Sequence, residues 1–383
     1  MKILFITHYA QYYGANRSLV NMIQGLKMLD YEVNVITPSL GEFTEALDRI
    51  TCNYEVVPFY PFVYRKTRFS FFLKHTRYKK NTKSLEKLGE IVQKYQPSLI
   101  YSNSSVFDIG FRLAQQEKIP HVWHIREMAE LHYGYHFYPN KNYFVRALRQ
   151  TDLVIAISKA IGENILDKNG VDDYQILYNA VFSKEQFQEL LMSNNSTKEN
   201  VIFTVVGMLH PSKQQASVIK SFAKVNKKYP NTELWIAGDG QLIYTLYLKL
   251  LILYYGLTKQ VKLLGYLSNL QEVYTKTDVV ITASLYEGLG RSTIEGMAYQ
   301  KPIIGFKSGA TQELIEDGKG GVLFDDKRKD GLANSMKMMI ENPQERKIMG
   351  TLGRAFVANE FMIDDYAQQL DRILRPLIVK KKN

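Results

Sequence analysis

Two carboxylates, Glu287 and Glu295, stand with seven residues between them in the stretch SLYEGLGRSTIEGMAYQKPIIG, Ser284–Gly305. Gly288, Leu289, Gly290, Arg291 and Ser292, which follow the first of them, read as a loop running into a helix. Glycines let backbone amides approach a ligand closely. Where such a loop opens a helix, unpaired N–H groups and the positive end of the helix dipole meet at one point, which suits a phosphate. Carboxylates accept hydrogen bonds from hydroxyls, so an anion and sugar hydroxyls are the natural complements of this stretch. A plainer reading exists for one of them. Ser292 to Glu295 spells Ser-x-x-Glu, a capping box in which Glu295 would only tie down its own helix.

The stretch resembles the signature of retaining glycosyltransferase family 4, the group 1 glycosyltransferases. That pattern is close to E-G-F-G-x-x-x-x-E-A-M-A-x-G-x-P-V-I; here it is EGLGRSTIEGMAYQKPIIG, and Gly309, Glu313, Gly318 and Gly321 continue it. The resemblance implies the GT-B architecture, an α/β chain of two facing Rossmann-like, doubly wound domains with a cleft between them. It implies glycosyl transfer with retention of configuration and no catalytic metal. Glu295 would bind the ribose of a nucleotide sugar and Glu287 the donor sugar. In GMLHPSKQ, Lys213 matches the family lysine that grips the diphosphate, while Met208 stands in the place of an arginine and Gln214 in that of a glycine. Arg291, with its planar fork for phosphate oxygens, is a candidate substitute; otherwise it is a solvent-facing residue of the first helical turn. Gly238 matches a Gly-x-Gly element, though an ordinary turn reads the same way, and Gly265 lies where family members hold the base by backbone contacts. Nearer the start, Gly14 in GANRS resembles the first-domain glycine loop. His124, in VWHIRE, resembles the histidine that contacts the donor sugar, with Arg126 and Glu127 on the acceptor side. Without the resemblance, a lone histidine there reads as a packed core residue. ILYNAVF departs from the pattern, with Asn179, Ala180, Val181 and Phe182 where Asn-Gly-Val-Asp is usual.

Strands are needed to carry these residues. Apolar runs at 3–7, 32–36, 55–58, 99–102, 122–124 and 153–157 alternate with helix-length segments such as 85–95, which predicts a parallel sheet covered on both faces. A second series starts at 201–206 and continues at 234–237, 261–264 and 279–282. Ligands on such sheets bind beyond the carboxyl ends of the strands, where Gly14, His124, Gly238, Gly265 and Glu287 all fall. The polar, turn-rich run 193–200 reads as a linker. It separates an N-terminal domain, 1–192, from a C-terminal, nucleotide-sugar-binding domain, 201–361. By the resemblance, a last helix within 362–383 returns to the first domain, and the basic end at 379–383 reads as frayed.

At 383 residues the chain is long enough for two cores. A single cysteine, Cys52, excludes an intrachain disulfide and fits a reducing compartment. The opening MKILFITHYA is too short an apolar run for a signal peptide, and Leu242 to Leu257 is too short to span a bilayer. These features predict a cytoplasmic protein. The net charge of +11 is concentrated in part between Arg65 and Lys83, which holds eight Lys or Arg, no Asp or Glu, and Phe69, Phe71, Phe72 and Tyr78. Basic plus aromatic predicts contact with an anionic membrane surface; the alternative is a solvated loop packing its phenylalanines on the core. Such a mixture can also stack single strands, but no nucleic-acid fold signature accompanies it, so no nucleic-acid partner is expected. No clear metal-ligand motif is present either.

The function the family resemblance implies is that of a hexosyltransferase, metal-independent, moving sugar from a nucleotide-sugar donor, a UDP-sugar above all, to a glycan or polyprenyl-linked acceptor. Cell-surface polysaccharide or glycoconjugate synthesis is the expected setting, with the enzyme peripheral on the inner face of the membrane. No other cofactor is expected. Two alternatives remain: a non-catalytic GT-B subunit that binds nucleotide or glycan, prompted by Met208, and an epimerase of similar architecture, which needs acid and base groups not found here.

Overall fold

Runs of aliphatic and β-branched residues alternate with helical periods along the chain, and in the computed structural model they become parallel strands joined through helices. The structure describes residues 1–66, 70–190, 201–325, 327 and 330–379. It divides into two units, Met1–Phe182 with Phe361–Asn383, and Ser183–Glu360.

The first unit contains β1 (Lys2–Ile6), β2 (Glu32–Thr37), β3 (Asn53–Val56), β4 (Val63–Tyr64), β5 (Leu99–Ser102), β6 (His121–Ile125), β7 (His136–Phe137), β8 (Leu153–Ala156) and β9 (Gln175–Ile176). β4 and β7 form a separate antiparallel pair, and the others make one parallel sheet in the order β3-β2-β1-β5-β6-β8-β9. Ile3, Leu4, Phe5 and Ile6 have no exposed surface, as a central strand covered on both faces requires. Helix Gly14–Met28 buries Leu19, Met22, Ile23 and Leu26, one stripe at helical spacing. Helix Ile363–Val379 packs on it so closely that a Cβ at Gly25 would stand 2.7 Å from the Cβ of Ala367. Tyr31 Oη adds a hydrogen bond to Asp371 of that helix at 2.6 Å.

The second unit contains β10 (Val201–Val206), β11 (Thr232–Ala237), β12 (Val261–Gly265), β13 (Val279–Thr282), β14 (Ile303–Phe306) and β15 (Gly321–Phe324), in the order β12-β11-β10-β13-β14-β15 and all parallel. In both sheets the chain winds outward one way from the first strand and then resumes on that strand's other side. The reversals fall between β1 and β5 and between β10 and β13, the places where open α/β sheets form a crevice for ligands.

Three expectations change. The helix expected over 85–95 runs from Ser70 to Tyr95, so most of the basic segment from Arg65 to Lys83 is helical rather than a loop. Lysine and arginine favour helix, and Leu85, Leu88, Ile91 and Val92 supply its buried stripe. Residues 67–69 of that segment, and with them Phe69, lie outside the described residues. The first domain ends at Phe182, not near 192. Ser183 caps a short helix, Lys184–Gln188, by accepting from Gln186 N, and Arg354 of the second unit stacks on Phe187 at 4.2 Å and donates to its carbonyl at 3.2 Å. These contacts draw the segment into the second core. β3 lies at Asn53–Val56 rather than 55–58. The expected linker at 193–200 and the end of the chain beyond 379 also lie outside the described residues.

Candidate functional site

β13 is buried throughout and delivers the chain to the carboxyl edge of the second sheet. The loop after it ends at Gly290, whose φ of 78° is a left-handed conformation that a side chain resists, and helix Arg291–Ala298 starts there. Because the helix opens ahead of Ser292, that serine is no cap and the helix has no side-chain cap bond. The capping box read from Ser292 to Glu295 does not form. Instead the Glu295 carboxylate, in a residue only 8% exposed, accepts from Tyr274 Oη at 3.0 Å and from Arg291 Nε at 2.8 Å. Burial and the charge of Glu295 raise the neighbouring Tyr299 phenol to about 12, so it stays protonated.

The loop after β10 meets this one. Leu285 N donates to Ser212 O at 3.1 Å, which sets the turn Pro211–Lys213 beside the loop holding Glu287. Lys213 Nζ then reaches Glu287 Oε2 at 2.7 Å, with side chains 20% and 16% exposed. Two opposite charges so placed at the β10/β13 reversal form a partly desolvated pair. The Glu287 carbonyl accepts from Ala310 N at 2.9 Å, and Ser308 Oγ donates to Leu285 O at 2.7 Å, so the start of helix Gly309–Gly318 holds the loop from behind.

Arg291 is not solvent-facing. Its side chain is 20% exposed, Nε is spent on Glu295, and the buried Nη1 has no hydrogen-bond partner among the described residues. Met208 is itself 44% exposed. Gly238 and Gly265 lie side by side at the ends of β11 and β12, Gly238 N donating to Gly265 O at 2.7 Å. Gly238 must be glycine, since a Cβ there would come within 2.1 Å of Gly207 O. The second unit therefore gathers Lys213, Gly238, Gly265, Glu287, Gly288, Leu289, Gly290, Arg291, Ser292 and Glu295 along one sheet edge.

Gly14 and His124 belong to the first unit. Gly14 begins helix Gly14–Met28 after β1, and a Cβ added to it meets nothing within 4 Å. His124 lies on β6, fully buried, with Nδ1 2.7 Å from Tyr101 Oη and 3.4 Å from Arg126 Nη2. A guanidinium only donates, so Nδ1 is the acceptor and Nε2 carries the proton. Burial, then the charge of Arg126, hold the ring neutral with a pKa well below 6.5. His124 Nε2, Arg126 Nε and Nη1, and both amide atoms of Asn103 are buried without hydrogen-bond partners among the described residues. Asn103 and Tyr274 carry no motif and were not singled out from sequence. Only Asn103's place at the end of β5 could have marked it.

Among the described residues no group of three or more His, Cys, Asp or Glu could hold a metal ion, and no helix is long and apolar enough to cross a membrane.

A family model described as Glycosyltransferase Family 4 matches residues 12–183, and one described as Glycosyl transferases group 1 matches residues 186–356. The chain belongs to glycosyltransferase family 4. Among relatives, the alpha-monoglucosyldiacylglycerol synthase of Acholeplasma laidlawii is 25% identical over 400 residues, which covers 96% of this chain and 94% of that protein. The N-acetylgalactosamine-N,N'-diacetylbacillosaminyl-diphospho-undecaprenol 4-alpha-N-acetylgalactosaminyltransferase of Campylobacter jejuni is 26% identical over 276 residues, 71% of this chain and 72% of that one. Among solved structures, HepE of Anabaena, crystallised with UDP, superposes with a TM-score of 0.79 at 22% identity, over 98% of this chain and 100% of that one. The fold of this group 1 glycosyltransferase is accordingly GT-B.

Proposed function

We propose that this glycosyltransferase is a retaining, metal-independent hexosyltransferase that uses a UDP-sugar and a glycan or polyprenyl-linked acceptor in cell-surface polysaccharide or glycoconjugate synthesis. The observation that carries the proposal is the meeting of Lys213 and Glu287 at 2.7 Å, from loops after two different strands, at the reversal point of the sheet. A bound diphosphate offers Lys213 a more highly charged partner and turns Glu287 toward sugar hydroxyls. The amides of Gly288 to Ser292 and Arg291 Nη1 add donors, so the charge on the departing diphosphate is stabilised by groups already in place. Glu295, held by Tyr274 and Arg291, presents carboxylate oxygens to the ribose. Gly238 and Gly265 leave backbone near the base, and Gly14 leaves open space at the start of its helix. In the first unit His124, neutral with Nδ1 engaged, offers Nε2–H as a hydrogen-bond donor rather than a base.

The crystals of HepE with UDP and with UDP-glucose support the uridine choice. The names of the Acholeplasma and Campylobacter relatives, one a monoglucosyldiacylglycerol synthase and the other a transferase named for a diphospho-undecaprenol, support a lipid-linked acceptor. The test is thermal unfolding with UDP, GDP and ADP, because a ligand that binds only the folded state raises Tm. UDP alone should do so, and no shift with any of the three would overturn the nucleotide reading. A non-catalytic subunit would show the shift without consuming UDP-sugar in the presence of acceptor.

A further inference from the structure

Helix Leu242–Tyr254 carries only one charged residue, Lys249, where a surface helix is expected to carry a charged face. Leu248 and Ile252 face the second core, at 0% and 6% exposure. The opposite side should carry charge, yet it presents Ile243 at 83%, Leu246 at 48%, Leu250 at 66%, Leu253 at 65% and Tyr254 at 80% exposed. Isolated exposed apolar residues are ordinary, but a contiguous row along a whole helix marks a contact surface.

We propose that this face lies in the plane of an anionic bilayer, so that the second unit carries a membrane contact of its own. At about 1.5 Å per residue the helix is about 20 Å long, too short to cross a bilayer and suited to lying at its surface. The exposed Tyr247, Tyr254 and Tyr255 set hydroxylated rings among the aliphatic side chains, the composition that settles at headgroup level. Charge selects the occupant. Between Asp239 and Glu272 the sequence has no acidic residue and three lysines, Lys249, Lys259 and Lys262. Lys262 is answered by Glu233 at 2.7 Å, which leaves the exposed Lys249 and Lys259 to face anionic headgroups. A second copy of the same face fits less well, because a two-fold contact would set these lysines against one another with no carboxylate in the segment to separate them. The proposal does not rest on the choice of donor or acceptor.

The experiment is co-sedimentation with vesicles of phosphatidylcholine alone and of equal parts phosphatidylcholine and phosphatidylglycerol. Wild type is compared with a variant carrying Ile243→Gln, Leu246→Gln, Leu250→Gln and Tyr254→Ser, all at exposed positions. The Tm of each protein and the Tm rise with UDP verify that fold and nucleotide site are intact. Wild type should bind the mixed vesicles, and the variant should bind about tenfold less, given the loss of apolar insertion. Lys249→Glu should lower binding to the mixed vesicles and leave phosphatidylcholine binding unchanged. Failure of wild type to bind, or equal binding by the folded apolar variant, overturns the proposal. So does a wild-type dimer that the variant dissociates in the absence of vesicle binding, an outcome that assigns the face to a second copy. A missing UDP shift alongside normal vesicle binding would count against the nucleotide reading alone.

Discussion

Lys213 and Arg291 are both cations beside a glutamate, but their partners give them different work. Lys213 holds Glu287 from another loop, and under the proposed function a diphosphate takes that place; Lys213→Ala should weaken UDP binding by about 1 to 3 kcal/mol, the range for a lost charge-assisted hydrogen bond. Calorimetry showing unchanged affinity in the folded variant would remove Lys213 from the site. Arg291 is bound to Glu295 one helical turn away, so much of its effect should pass through that carboxylate. A double-mutant cycle of Arg291→Ala and Glu295→Gln is expected to show coupling of about 1 kcal/mol in UDP affinity. Strict additivity would mean that the two residues meet the nucleotide independently. The Ser-x-x-Glu spacing did not disclose this arrangement, because a cap is defined by where the helix starts, and Gly290 starts it before Ser292.

Helix starts and faces decide the next two outcomes. Gly290 supplies a left-handed residue at the cap of helix Arg291–Ala298, and an added Cβ would also meet Leu314 Cδ1 at 3.3 Å. Gly290→Ala should therefore lower stability by about 1 to 2 kcal/mol, read as a lower midpoint in urea with unchanged slope. An unchanged midpoint would show that the loop can begin the helix elsewhere. Helix Ser70–Tyr95 carries the basic segment, and its cations lie over tyrosine rings: Lys74 over Tyr64 at 4.4 Å, Arg77 over Tyr60 at 5.7 Å and Lys80 over Tyr60 at 5.6 Å. If this surface meets anionic lipid, Lys74→Glu, Arg77→Glu, Lys79→Glu and Lys80→Glu together should reduce vesicle binding most at low salt, since each basic residue contributes about 1 kcal/mol. Equal sedimentation of this variant and wild type at low salt would leave the segment a solvated helix. Composition marked the segment as basic and aromatic, whereas its helical state depended on the buried stripe further along.

Acid stability involves the first unit as a body, because His121 and His124 are fully buried in it and His8 is partly buried. Burial lowers His8 and His121 to about 3 and, with Arg126, lowers His124 well below its ordinary 6.5. In the unfolded chain each takes up a proton near pH 6.5, whereas in the folded protein each stays neutral far below that. The unfolded state thus binds more protons as pH falls, and stability present above pH 6.5 is lost progressively toward pH 3. By pH 5 the loss should reach about 2 kcal/mol for each of the two fully buried histidines, and His121→Gln should flatten the fall of Tm with pH. An equally steep fall in that variant would assign the acid sensitivity to carboxylates. The positions of the main strands along the chain, the apolar stripe of helix Gly14–Met28 and the glutamate pair were legible in the sequence, since each is a local pattern of residue types that folding has little freedom to reinterpret. The partners were not. Lys213 with Glu287, Tyr274 with Glu295, His124 with Tyr101 and Arg126, and the exposed row on helix Leu242–Tyr254 depend on which sheet edge and which neighbouring side chain each residue meets. Burial and pairing are relations between distant segments, so they exist only once the sheets have formed and set the local dielectric around each charge.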